Sequence, residues 1–292
     1  MGSMAVLTSL LPVVVSTSLM IMVVSHGIFD PIKVDLGFEH YAEKPDFTIG
    51  SYKLPDWLKL AMPLNALVNI GYVIIGFYWI FRTYFAERNK TVGSLHAYFA
   101  YTFAWMSIVY GPIQLGRILY QTHPSAILDQ WVTLPFFTLV ILWSKSFIIG
   151  WNLNVCLMFM LSSILSYNLV FFSEFGFEVA LILHAASVLN AMLAIHGKYT
   201  CEGNLKTMML TFLAFVMFIL FKVLDLHLPR YGDVFTEVSG HFLSKLFGDI
   251  AQIQCVFVFF ESIAQKLQAS ALLADMKGKR DDKVTSSRKK KR

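Results

Sequence analysis

The chain has 292 residues, 56% of them hydrophobic and 15% charged, with a mean hydropathy of +0.59 and a formal net charge of +5. These values exclude a soluble globule and describe a polytopic membrane protein. The positive charge is not a nucleic-acid footprint, because no basic, aromatic-interleaved domain carries it.

In chain order, the apolar segments predict eight spans: Met4–His26, Leu60–Phe81, Leu95–Ile118, Ile127–Lys145, Val155–Phe172, Phe177–His196, Leu205–Leu224 and His241–Ser262. A helix needs about 20 residues to cross roughly 30 Å of hydrocarbon. These runs are too long and too uniformly apolar for barrel strands, so the predicted fold is an all-α membrane bundle. The first segment, residues 1–26, lacks a basic leader and a clear small-residue cleavage site, so a retained helix is expected rather than a signal peptide.

Residues 27–59 form the longest loop and carry Asp30, Asp35, Glu39, Glu43, Asp46 and Asp56. Their spacing does not match a calcium-binding EF-hand, so a solvated acidic cap is expected. Residues 60–263 form a seven-helix core and residues 264–292 a basic tail. The tail begins as a helical extension, ESIAQKLQASALLADMK, and its end, GKRDDKVTSSRKKKR, is expected to be disordered.

Basic residues set the orientation. Arg82, Arg88, Lys90, Lys145, Lys198, Lys206 and the tail fall on one side, which places both termini in the cytosol. The sequon Asn89-Lys90-Thr91 then lies on the cytosolic side and stays unused. Lys289 and Lys290, fourth and third from the end, resemble a dilysine retrieval signal and point to the endoplasmic reticulum or Golgi. The rival reading of the basic tail is attraction to anionic lipid, weakened by phosphorylation of Ser286 or Ser287. Cys156, Cys201 and Cys255 show no pairing or metal-ligand spacing and read as packing residues.

Ionisable residues inside spans are expensive and need an account. At 100° per residue, His241, Ser244, Lys245, Gly248, Asp249 and Gln252 share one stripe of the last helix, opposite Phe242, Leu243, Phe247, Ile250 and Val258. Lys245 and Asp249, four apart, are placed to pair. Asn65 and Asn69 share a face of the second span, and His184 and Ser187 a face of the sixth. Gln114 and Arg117 lie late in the third span, Asp129 opens the fourth, and Lys222, Asp225 and His227 close the seventh. Helix alternation sets Gln114, Asp129, Asp225 and His241 at one depth, which predicts a single polar cavity. No ligand-spaced histidine pair exists for zinc, and a Schiff base at Lys245 rests on that one residue.

The stretches GIFD, GFEHYAE, MPLNALVN, YGPIQ, LDQWVTLPFF, GFEVAL and GHFLSK resemble the transmembrane protein 187 family over Gly27–Ser262, leaving out the tail. That resemblance implies a multi-pass protein and assigns no reaction. More distantly, the seven spans from Leu60 resemble the alkaline-ceramidase and adiponectin-receptor type of seven-helix metal hydrolase. This second resemblance implies matches at Asn65, Asn69, Leu128-Asp129 and Asp225, but puts Tyr110 and Gln114 where a serine and a histidine are expected. It also puts Lys245 where a second histidine should follow His241, and Gln130 where a glutamate should follow Asp129. One ligand histidine of three therefore remains, so no metal or cofactor is expected and zinc is disfavoured. Lys245 would stand in for the metal's charge, pairing Asp129, Asp225 or Asp249.

The function expected is a non-catalytic, degenerate-site relative of lipid hydrolases that binds a membrane lipid or a protein partner. The alternative is an intramembrane hydrolase of lipid amides or esters, with His241 or Lys245 as base and Asp129 or Asp225 orienting it. A transporter is the third reading.

Overall fold

A computed structural model describes residues 2–37, 39, 41–43, 48–49, 52–53, 62–201 and 203–289. Asp46, Asp56 and Lys290 lie outside the described residues, and the side chain of Lys289 is also outside them. Helix α1 spans Gly2–Ser25. The loop after it contains a small antiparallel hairpin, β1 (Thr48–Ile49) with β2 (Tyr52–Lys53), in the register Thr48 with Lys53. The next span is broken at Val68 into α2 (Pro63–Leu67) and α3 (Asn69–Arg88). Then follow α4 (Ser94–Tyr120), α5 (His123–Ile149), α6 (Leu153–Ser166), α7 (Gly176–Lys198) and α8 (Asn204–Leu224). A 3-10 turn, Asp225–Tyr231, leads toward α9 (Gly240–Leu243). A π-helical segment, Ser244–Ile250, joins α9 to α10 (Ala251–Lys289).

Sequence signals explain the helix starts. Asn152 caps α6 by accepting the Val155 N–H at 3.1 Å, and Ser239 caps α9 by accepting that of Phe242 at 3.2 Å. Thr122 and Ser125 form a capping box on α5, with a proline in the first turn. Several helices run past their predicted ends. Helix α3 continues to Arg88 because Arg82 ion-pairs Glu261 of α10 at 2.8 Å and Glu87 accepts from Tyr101. Helix α10 continues to Lys289, which corrects the expected disorder of residues 278–289. Adding residues to a helix already nucleated in the bundle costs little.

Among the described residues, seven spans are long and apolar enough to cross a membrane, and α4 adds an eighth of spanning length. Helix α4 falls short in hydropathy because it is central: it packs against α1, α3 and α5 and buries Tyr101, Thr102, Ser107, Tyr110 and Gln114. A helix that faces protein can carry polar groups that a lipid-facing helix cannot. By contrast, α6, α7 and α8 present most of their surface outward. Gly111 lets α3 and α4 meet closely, since a Cβ there would lie 2.7 Å from the Asn69 carbonyl oxygen.

One end of the bundle is filled by rings. Trp79 stacks on Phe257 with centroids 4.5 Å apart, Trp143 stacks on Phe260 at 4.5 Å, and His96 stacks on Phe147 at 3.9 Å. Offset and edge contacts of this kind each add roughly 0.5–1.5 kcal/mol beyond area burial. The opposite end of the same helices holds the polar residues.

Candidate functional site

A cavity of about 360 Å³ opens at that polar end, between α4, α5, α7, α8 and the α9–α10 helix. Of the predicted cavity residues, Gln114, Asp129, His241, Ser244, Lys245 and Asp249 line it. Asp225, Asn69 and Asn65 do not line it; the first two support it from behind.

Asp225 is buried and accepts three N–H groups. They are the His241 backbone (3.0 Å), the His241 ring at Nδ1 (2.8 Å) and the Ala42 backbone (3.0 Å). An ionised carboxylate only accepts, so Nδ1 carries the hydrogen and Nε2 of a neutral ring is left as an acceptor. This geometry requires Gly240, because a Cβ there would lie 2.3 Å from the Phe221 carbonyl oxygen and 2.8 Å from Asp225 Cα.

The expected pairing of Lys245 with a carboxylate is not what forms. Lys245 Nζ donates to Asn69 Oδ1 at 3.1 Å, and Asp249 instead accepts from the Tyr72 hydroxyl at 2.7 Å. Asn69 and Tyr72 lie one turn apart on α3, so Lys245 and Asp249 both take partners on that helix rather than each other. The predicted apolar face is corrected at one residue: Ile250 points inward against Gly71 of α3, whereas Phe247 and Val258 are exposed as expected. Asn69 also closes the break at Val68, with its Nδ2 donating to the Asn65 carbonyl at 2.9 Å. Asn65 is fully buried, and neither polar atom of its amide has a partner among the described residues.

Across the cavity, Gln114 donates to Asp129 and, at 2.7 Å, to the Tyr110 hydroxyl, which in turn meets Thr133 Oγ1 at 3.1 Å. Arg117, just above, is held by the Asp35 carbonyl and by Gln121. Lys222 lies at the rim and its ammonium sits over the Phe218 ring. His227 is exposed on its 3-10 turn, Ser187 is exposed on α7, and His184 bonds Ser163 of α6 at 2.9 Å, away from the cavity.

Residues 41–43 of the acidic loop cover this site rather than standing in solvent. Tyr41 packs on His241, ring centroids 4.4 Å apart, and Ala42 is tied to Asp225. Glu43 is buried and accepts the Leu64 and Asn65 N–H groups of α2 at 2.7 and 3.0 Å. Burial pushes the Glu43 carboxyl up to about 7; Asp225 adds to the rise, while the two amides and Lys245 oppose it. Burial likewise raises the Tyr41 hydroxyl. Tyr72 and Thr133 were findable in sequence, one turn from Asn69 and Asp129. Tyr41 was not, since 200 residues separate it from its partner His241.

A second, almost wholly apolar space of about 230 Å³ lies between α7 and α8 and shares Phe137, Phe215 and Gln252 with the polar cavity. The two spaces adjoin at these three side chains. Among the described residues, no group of three or more His, Cys, Asp or Glu is arranged to hold a metal. Among the residues lining the chamber His241 is the one histidine, and Lys245 brings a cation to the same space.

Fold and site thus define a multi-pass α-helical membrane protein with an enclosed polar cavity. The chain belongs to the transmembrane protein 187 family: the TMEM187 protein family matches residues 9–261. It is 34% identical to transmembrane protein 187 of Bos taurus over 258 residues, 87% of this chain and 96% of that one. It is also 34% identical to the Homo sapiens transmembrane protein 187 over 247 residues, 85% of this chain and 89% of the other. No solved structure matches the chain significantly.

Proposed function

We propose that this protein is a non-catalytic binder of a membrane amphiphile, with the ligand's polar head among Lys245, Asp129, Asp249 and His241 and its chain between α7 and α8. The observation that carries this reading is that the polar cavity and the apolar space between α7 and α8 lie side by side, with Phe137, Phe215 and Gln252 in the walls of both. A 360 Å³ polar chamber is in the size range of small-molecule sites. The mostly exposed α7 and α8 offer a route from the bilayer without passage through water. The basic bias supports cytosolic termini, and the dilysine end, with Lys290 outside the described residues, supports residence in the endoplasmic reticulum or Golgi.

The test is mass spectrometry of lipid retained by protein purified in mild detergent, beside a Phe215→Trp variant that fills the junction. The expected result is one amphiphile class retained by the native chain and lost from the variant. Folded protein carrying no such molecule would overturn the reading.

The Asp225–His241 pair favours a second reading, an intramembrane hydrolase of lipid amides or esters. Asp225 would fix the ring and Nε2 would take a proton from water. Turnover of a ceramide-like panel that disappears in His241→Ala would replace the first reading by this one. Near-stoichiometric zinc in the purified protein, lost in the same variant, would reopen a metal mechanism.

A further inference from the structure

We infer that Lys245 is a carbonyl-capturing residue, and that the amphiphile held in this cavity is a long-chain aldehyde bound as an imine on its ε-amine. The inference rests on the binding reading above and names the chemistry of the head group.

Four observations lead to it. First, the Lys245 side chain is buried, yet its nitrogen contacts only a neutral acceptor, Asn69 Oδ1; two of its three hydrogens have no acceptor among the described residues. A buried ammonium retained for structure alone is expected to touch a carboxylate. Here Asp249, its neighbour four residues on, accepts from Tyr72 instead. Second, Asp129 and Asp249 line the same chamber, and each has one oxygen engaged by a neutral donor and the other without a donor among the described residues. Both act electrostatically on Lys245 without bonding it. Third, His241 Nε2 is left as a proton acceptor by the hold of Asp225 on Nδ1. Fourth, the polar chamber shares Phe137, Phe215 and Gln252 with an adjoining apolar space, lined also by Phe212, Ile219 and Met208, which suits a hydrocarbon chain.

The chemistry balances with these groups alone. Lys245 passes one proton to the free oxygen of Asp129 or Asp249. The neutral amine attacks the aldehyde carbon, a C–N bond forms, and the carbonyl oxygen takes up that proton to give a carbinolamine. The nitrogen then gives up a proton through His241 Nε2, and the hydroxyl leaves with it as water. The product is R–CH=NH⁺–Lys245. One positive charge enters and one remains, now facing two carboxylates, so the charge of the buried site is conserved. Exclusion of bulk water by the Tyr41 lid and the bilayer slows the reverse hydrolysis.

The experiment uses the full chain in detergent, incubated with stoichiometric hexadecanal and reduced with borohydride. The site is then read by peptide mass spectrometry. The expected result is one hexadecyl group per chain, on the peptide containing Lys245. Asp129→Asn combined with Asp249→Asn should slow its formation by about a hundredfold, the low end for positioned proton transfer. A label spread over exposed lysines such as Lys222, or no label at all, would overturn the inference. Mapping the native chain needs no variant at Lys245, so misfolding of Lys245→Met cannot mask the outcome. Parallel binding of palmitic acid, which cannot form an imine, separates the two readings. Retained palmitate with no adduct rejects only the imine, and neither bound rejects the cavity reading as well.

Discussion

At one end of α3, α4, α5 and α10 the interior is closed by rings, with Trp79, Trp143, Phe257 and Phe260 buried against one another. At the other end α3, α4, α5 and the π segment that leads into α10, joined by α7 and α8, surround Tyr72, Gln114, Asp129, Lys245 and Asp249 and leave about 360 Å³ open. The ring end contains a void of only about 10 Å³, beside His96 and Trp143. In lipid, helix association draws on dispersion and close packing, since burying apolar surface there gains no hydrophobic energy. The ring end therefore holds the bundle together, which lets the polar end keep an open chamber, a broken helix and a π turn. Irregular backbone of that kind is tolerated at membrane depth only where it is buried or lines a cavity.

Substitutions can break this division. The largest effect is expected at the ring end. Phe257→Ala removes a fully buried ring between Trp79 and Phe103 and should cost about 3–5 kcal/mol in a detergent unfolding titration, with ligand retention unchanged in the folded fraction. If ligand is lost with stability, the two ends are not independent. Gly240→Ala follows, at up to about 3 kcal/mol, because the new methyl meets backbone on α8 and at Asp225. Next is Asp225→Asn, which weakens three hydrogen bonds to a charged acceptor and should cost about 1.5–3 kcal/mol. Faster amide exchange at Ala42 than at Trp79 would locate that loss in the lid.

A smaller effect is expected from pH. The Glu43 carboxyl titrates near 7 in the folded lid against about 4.5 normally, so its proton favours docking. That contribution is complete below about 4.5 and is lost as pH rises through 7, at no more than about 1.4 kcal/mol per pH unit. Exchange at Leu64 and Asn65 should quicken over this range, and Glu43→Gln should flatten the dependence. The smallest effect on stability is expected from Lys245→Met. Among the described residues its ammonium bonds Asn69 alone, so the change should stay within about 1 kcal/mol while abolishing the imine. A loss of several kcal/mol would instead make Lys245 a structural charge.

Much of this was legible in the chain itself. Hydropathy and span length determined an all-helical, multi-pass bundle, because lipid forces every spanning backbone to satisfy itself locally. The shared depth of Gln114, Asp129, Asp225 and His241 followed from counting residues along helices; Gln114, Asp129 and His241 line one chamber, and Asp225 stands behind it, bonded to His241. What only the tertiary structure decided is how they are partnered. The 100° rule predicted Lys245 against Asp249, but the two side chains take Asn69 and Tyr72 of α3 as partners, which nothing in SKLFGDI itself reports. Tyr41 on His241, Ala42 on Asp225 and the apolar space between α7 and α8 join segments far apart in sequence. Periodicity is a property of one helix, whereas a lid and a cavity are properties of the spaces between several.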